Sequence, residues 1–325
     1  MTYTSFLGAN EIVDRFINLL STHGISPPTG QGIEAELLSV TELLDVVRSP
    51  SDSTARPDLL AVAGGMFDLA AKLLAIETQP EFKEFIPHLK LFASKEKWAS
   101  SVQTTPGSPI DDVHRKLNEL YLGSLAVHIG SEVELDHPDA SRGDNPDVMF
   151  TFELDAHPPK RWTFAIKTVS SRSGQTIFER IAEASRQINA PSCPAQRGIV
   201  VINTQGSLNH SKYWDTHFPD EEDAKAALRA EIRSLIAKAN DNRDVSEWNQ
   251  VISGKTSPVI LYFGHIATHV PTPAAKSTPT VIKMAMFDQP TLQQDAEALA
   301  IVDGINRFMQ RIQKGIPGTE GTLPR

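Results

Sequence analysis

The stretch NPDVMFTFELDAHPPKRWTFAIKTVS (residues 145–170) decides the fold class of this 325-residue chain. Apolar and polar side chains alternate over Asp147 to Leu154 and again over Trp162 to Val169, so both segments read as β-strands. Side chains on a strand point to opposite faces in turn. Trp162, Phe164 and Ile166 therefore share one face, and Thr163, Ala165 and Lys167 share the other.

Working outward, Leu117, Leu120, Tyr121 and Leu125 recur at helix spacing up to about Gly130, and Ser131 to Asp136 reads as one more strand. Downstream, a helix is expected from about Thr176 to Ile188, with Ile177, Ile181, Ala184 and Ile188 inward. Ile199 to Ile202 is wholly apolar, as a strand covered on both sides should be. The order is helix, strand, strand, strand, helix, strand. A further helix begins in the acidic turn Asp220 to Asp223, which suits the positive end of a helix dipole, and runs to about Ala239. Val259 to Val270 and Val281 to Phe287 read as late strands, with a proline-rich excursion from Pro271 to Pro279 between them. Leu292, Ala296, Leu299, Val302, Ile305, Met309 and Ile312 mark a long closing helix.

Residues 1–100 read as helical throughout, through the runs Ile12 to Leu20, Ile33 to Val47, Leu59 to Ile76 and Phe82 to Phe92. Four parts are expected: a helical accessory domain at 1–100, a linker at 101–110 rich in Ser, Thr, Gly and Pro, an α/β domain at 111–314, and a flexible tail at 315–325. The fold class is thus α/β, a mixed sheet flanked by helices and preceded by an all-helical region.

Composition narrows the function. A net charge of −9 argues against a broad, non-specific grip on nucleic acid. The single cysteine, Cys193, permits no intrachain disulfide and gives no zinc pattern. Met1 to Phe16 carries no secretory pattern, and Gly64, Gly65, Asp68 and Lys72 interrupt the longest apolar run, so a cytoplasmic location is expected with no membrane partner. No G-x-x-x-x-G-K-S/T, H-E-x-x-H or G-x-S-x-G motif occurs.

Four polar residues fall at the corners of the helix-strand-strand-strand-helix-strand unit: Glu119 in its first helix, Asp147 opening its second strand, Lys167 late in its third, and Gln187 in the next helix. Magnesium is commonly held by one or two carboxylates with water and substrate phosphate completing an octahedron. Such an ion polarises a phosphoryl oxygen and acidifies bound water, and a nearby lysine orients that water or stabilises developing charge. Six cations (Lys160, Arg161, Lys167, Arg172, Arg180, Arg186) lie between His157 and Gln187 against two carboxylates, a local balance of +4 around the motif.

This arrangement resembles the PD-(D/E)xK superfamily, the restriction-endonuclease-like fold, over roughly Asp111 to Thr204. Pro146-Asp147 matches the PD half, Ala165-Ile166-Lys167 the (D/E)xK half, and Asn118 to Leu135 the family's first helix and strand, with its acid at Glu119. The resemblance implies a restriction-endonuclease-like core and a Mg2+- or Mn2+-dependent nuclease acting on DNA rather than RNA. It also implies that Asp147, Glu119 and the Ile166 carbonyl ligate the metal while Lys167 positions or activates water. Ala165 departs from the pattern, since a methyl group cannot ligate. In some restriction enzymes of this superfamily the acid has moved to the following helix, where Glu179 and Glu183 stand. Glu183 shares a face with Gln187 four residues on. The other account is an inactive core that binds nucleic acid or, through the N-terminal helices, a protein partner.

His210, after Asn203, is expected to make a structural hydrogen bond. His265 and His269 lie in a strand, where their spacing is no helical metal pair.

Overall fold

A computed structural model describes residues 6–27, 29, 32–48, 57–93, 112–138, 146–155, 157–272 and 275–310. The linker expected at 101–110 and the tail expected at 315–325 lie outside the described residues. A six-stranded mixed sheet runs in the order β1 (Ser131–Leu135), β2 (Val148–Phe152), β3 (Lys160–Thr168), β4 (Arg197–Asn203), β5 (Thr256–Thr272) and β6 (Ala275–Asp288). The first three strands form an antiparallel meander, β4 and β5 follow parallel to β3, and β6 returns antiparallel to β5. Helices flank the sheet: α1 (Phe6–Thr22), α2 (Gly32–Arg48), α3 (Pro57–Leu74), α4 (Ile86–Ala93), α5 (Asp112–Ala126), α6 (Gly174–Asn189), α7 (His210–Trp214), α8 (Glu221–Asn240), α9 (Val245–Val251) and α10 (Ala296–Gln310).

Strand alternation divides the interior into two apolar layers. Trp162, Phe164, Ile199, Val201 and Leu261 meet residues of α1–α5 and α10 on one face. Ala165, Val200, Ile202, Ile260 and Tyr262 meet residues of α6–α9 on the other. The N-terminal helices and α5 thus contribute to one continuous apolar cluster with the sheet.

Helix α6 shows how sequence produces this layering. The Ser173 side chain accepts the Thr176 N–H at 3.5 Å, satisfying one of the free donors of the first turn. Ile177, Ile181, Ala184 and Ile188 are all fully buried against the sheet. Each isoleucine contributes roughly 1.5–3 kcal/mol by leaving water. At Gly198 a Cβ would stand 2.7 Å from Ile188 Cγ2 and 2.8 Å from Thr163 Cγ2, so only glycine lets α6 close on β4 there.

Two local readings need correction, and two short helices are added. The Pro271–Pro279 excursion is part of a long hairpin: His269 pairs with Pro279, Val270 with Thr278 and Thr272 with Ala275. Proline is tolerated because β6 is an edge strand and this end of β5 extends past its register with β4. Leu292 does not open the closing helix, which begins at Ala296, and it is 90% exposed. Short helices α7 and α9 arise from side-chain caps, with Asn209 and Asp244 accepting backbone N–H groups, and no apolar periodicity marks them. Among the described residues, no helix is long and apolar enough to cross a membrane.

Candidate functional site

Asp147 sits at the bend entering β2. Its N–H donates to the Phe164 carbonyl at 3.2 Å, and its carbonyl accepts from Asp136 N–H at 3.1 Å. Its side chain turns back onto β3, where Oδ2 accepts the Ile166 N–H at 2.5 Å. Burial, followed by the negative charge of Glu119, pushes the Asp147 carboxyl up to about 7. The Ile166 N–H, Lys167 and Lys116 act in the opposite direction and do not cancel the rise.

Glu119 projects from α5 and is buried. Its Oε2 accepts from Lys116 Nζ at 2.8 Å and lies 3.3 Å from His88 Nε2. Lys116 also reaches Asp136 Oδ2 at 2.9 Å. Burial raises the Glu119 carboxyl above the ordinary carboxylate range against the pull of Lys116, and Asp136 adds to the rise. Burial works to lower the Lys116 ammonium, but Glu119 and Asp136 outweigh it and hold the group raised.

Lys167 occupies the α6 side of the motif. Its Nζ is 3.1 Å from Glu183, which also takes Arg180 at 2.6 Å. Burial opposes ionisation of Glu183, yet Arg180 and Lys167 hold its carboxyl below the usual range. Gln187 stands one turn further along α6 at intermediate exposure. Glu179 lies on the exposed side, accepting from Gln175 at 2.8 Å. Ala165 is fully buried among the apolar residues under α6.

The structure therefore brings together Asp147, Glu119 and the Ile166 backbone, with Lys167 close enough to act on Asp147. Glu183 joins this group through the lysine. Ile166 meets Asp147 through its N–H, whereas the resemblance implied a role for its carbonyl. Two carboxyls are enough to anchor Mg2+ or Mn2+ when water and phosphate supply the remaining oxygens. Among the described residues, no group of three or more His, Cys, Asp or Glu is arranged to hold a metal. Sequence reasoning missed Lys116, Asp136 and His88. The three-residue spacing of Lys116 and Glu119 on a helix carried a signal for the first, while the others depend on tertiary contact.

The basic island is largely matched by carboxylates. Lys160 pairs with Glu297 at 2.6 Å, Arg161 with Glu134 at 2.8 Å and Arg172 with Glu231 at 2.8 Å, and Lys167 and Arg180 share Glu183. His210 makes the structural contact expected of it, with Nε2 2.9 Å from the Gln205 carbonyl. No family model, curated protein or solved structure matches the chain.

Proposed function

We propose that this protein is a Mg2+- or Mn2+-dependent phosphodiester hydrolase acting on DNA, with a restriction-endonuclease-like core formed by α5, β1–β3, α6 and β4. The observation carrying this reading is Asp147, half-buried beside Lys167 and the buried Glu119, with its carboxyl raised by desolvation first and by the Glu119 charge second. Two crowded carboxyls favour a divalent cation, which removes their mutual repulsion. Helix α5 followed by a three-strand meander, a helix and a parallel strand is also the order expected from the resemblance.

In this reading Asp147 and Glu119 hold the cation, which when bound polarises a phosphoryl oxygen and acidifies water. The Ile166 N–H fixes the Asp147 carboxylate through Oδ2. Lys167 leaves Glu183 and turns to water or phosphate, while Glu183 retains Arg180 as a counter-ion. The test is cleavage of single- and double-stranded DNA with manganese, using wild type, Asp147→Ala and Lys167→Ala. Cleavage by wild type that both substitutions abolish supports the assignment, and cleavage that survives both ends it.

A second reading is an inactive core binding nucleic acid or a protein partner. The burial of Ala165, in the place of an acid, favours it. A manganese titration separates the two, because an inactive core shows no binding that depends on Asp147.

A further inference from the structure

A cation is already built into the acidic surroundings of Asp147. Lys116 stands on α5 about one turn before Glu119, and its side chain is 11% exposed, against 4% for Glu119 and 6% for Asp136. Its Nζ lies 2.8 Å from Glu119 Oε2, 2.9 Å from Asp136 Oδ2 and 3.3 Å from the Asp136 carbonyl. An ammonium has three protons to donate, and here three acceptors take them. The backbone keeps this cluster next to the site, because Asp136 N–H donates to the Asp147 carbonyl at 3.1 Å. The charge of Lys116 also reaches Asp147, where it opposes the rise caused first by burial and then by Glu119.

Lys116 and Lys167 are therefore different kinds of lysine. Lys167 pairs with the exposed Glu183, so water or phosphate can take the place of that carboxylate. Lys116 is tied to two enclosed carboxylates, and leaving both would strand buried charge at a high cost. It acts as a fixed positive charge and is not free to be recruited by substrate. An ammonium within bonding distance of Glu119 repels any cation that approaches that carboxylate, and little water screens the repulsion.

We propose that Lys116 is a resident counter-ion that sets the cation affinity of the Asp147–Glu119 site, holding Mn2+ or Mg2+ binding weaker than the two carboxyls alone would give. This role rests on the metal reading of that site. Asp136 gives the ammonium a second carboxylate, so it keeps a partner when a cation takes Glu119. In the absence of metal the same charge keeps Glu119 and Asp136 from repelling each other. A site held weak in this way fills most readily when substrate phosphate adds its own oxygens and charge.

The experiment is calorimetric titration of the full chain with manganese, beside melting curves with and without the ion. Wild type is compared with Lys116→Met, Lys116→Arg and Asp147→Ala. Lys116→Met should bind manganese about tenfold or more tightly than wild type, as removal of a unit charge beside the ion does. Without metal it should melt below wild type, and manganese should raise its melting temperature by more than it raises that of wild type. If Lys116→Met is unfolded alone, manganese should fold it, and failure to do so counts against the proposal. Lys116→Arg keeps the charge and should bind as wild type does. A lysine that only braces α5 gives the opposite result, since its loss loosens the site and weakens binding. The proposal falls, with the metal reading intact, if wild type binds through Asp147 and Lys116→Met binds no more tightly. It falls in the same way if Lys116→Arg gains as much as Lys116→Met. An absence of manganese binding in both wild type and Lys116→Met, or binding that survives Asp147→Ala, ends the proposal and the metal reading together.

Discussion

Asp68, buried on α3, and Asp147, half-buried at the entry to β2, have carboxyls that shift in opposite directions. Burial works to raise each of them. At Asp68 the ammoniums of Lys283 and Lys72 outweigh burial and hold the group below its ordinary range. At Asp147 the next charge is another carboxylate, Glu119, and the group rises to about 7. The direction follows the sign of the charge that acts most strongly on each group, since desolvation raises both. Asp68 is a counter-ion already in use. Asp147 is an acid with too few cations around it, which is the condition a metal relieves.

The largest effect should come from breaking the first of these sites. Asp68→Asn takes from buried Lys72 and half-buried Lys283 the carboxylate they share and should cost ~3–5 kcal/mol, read from urea unfolding. An unchanged midpoint would remove Asp68 as the anchor of that cluster. Next is Ala165→Asp, which puts an acid into an apolar layer and should cost about 3 kcal/mol without metal. Manganese should restore part of that loss if the new carboxylate completes a site with Asp147, and indifference to manganese would count against the metal reading.

A pH series comes third. The unfolded aspartate titrates near ~3.9 and the folded Asp147 near 7. Between those values the folded chain holds a proton that the unfolded chain has released, so stability falls as pH rises through the window. A fall of roughly 2 kcal/mol between pH 5 and pH 7 is expected in metal-free solution, and saturating manganese should flatten it. Last comes Asp147→Asn, which removes the titrating group and with it the fall. Its stability relative to wild type should stand about 2 kcal/mol higher at pH 8 than at pH 5. A relative stability lower at pH 8 than at pH 5 would mean that Asp147 is stabilised as Asp68 is, and the contrast between the two sites would disappear.

The central unit was legible because its signals are local. Ile177, Ile181, Ala184 and Ile188 announced α6, and alternation assigned Phe164 and Ala165 to opposite layers, where the two apolar clusters hold them. The hairpin through Pro271 and Pro279 was not legible, because proline marks a break along the chain and its tolerance at a sheet edge depends on where the strand lies. The candidate site divided in the same way. Asp147 and Lys167 could be placed from strand pattern, whereas Glu183 reads from sequence as a substitute acid and in space faces Lys167 and Arg180. Asp68 and Lys283 come from opposite ends of the chain, and no spacing rule joins them.

The sequential order of the strands has a consequence for synthesis. Each strand pairs with the one made just before it, so the sheet can be laid down strand by strand as the chain emerges. Helix α3 is made before any strand, yet it packs against β5 and β6, and Lys72 is bonded to the Phe308 carbonyl near the end of the described chain. Until those late segments leave the ribosome, Asp68, Lys72, Leu69 and Leu73 lack part of the cover they have in the folded molecule. The nascent chain thus carries an open apolar and charged face through most of translation, the interval in which chaperone binding or misassociation competes with folding. A chain stopped before Thr256 would retain its meander and leave α3 without β5 and β6.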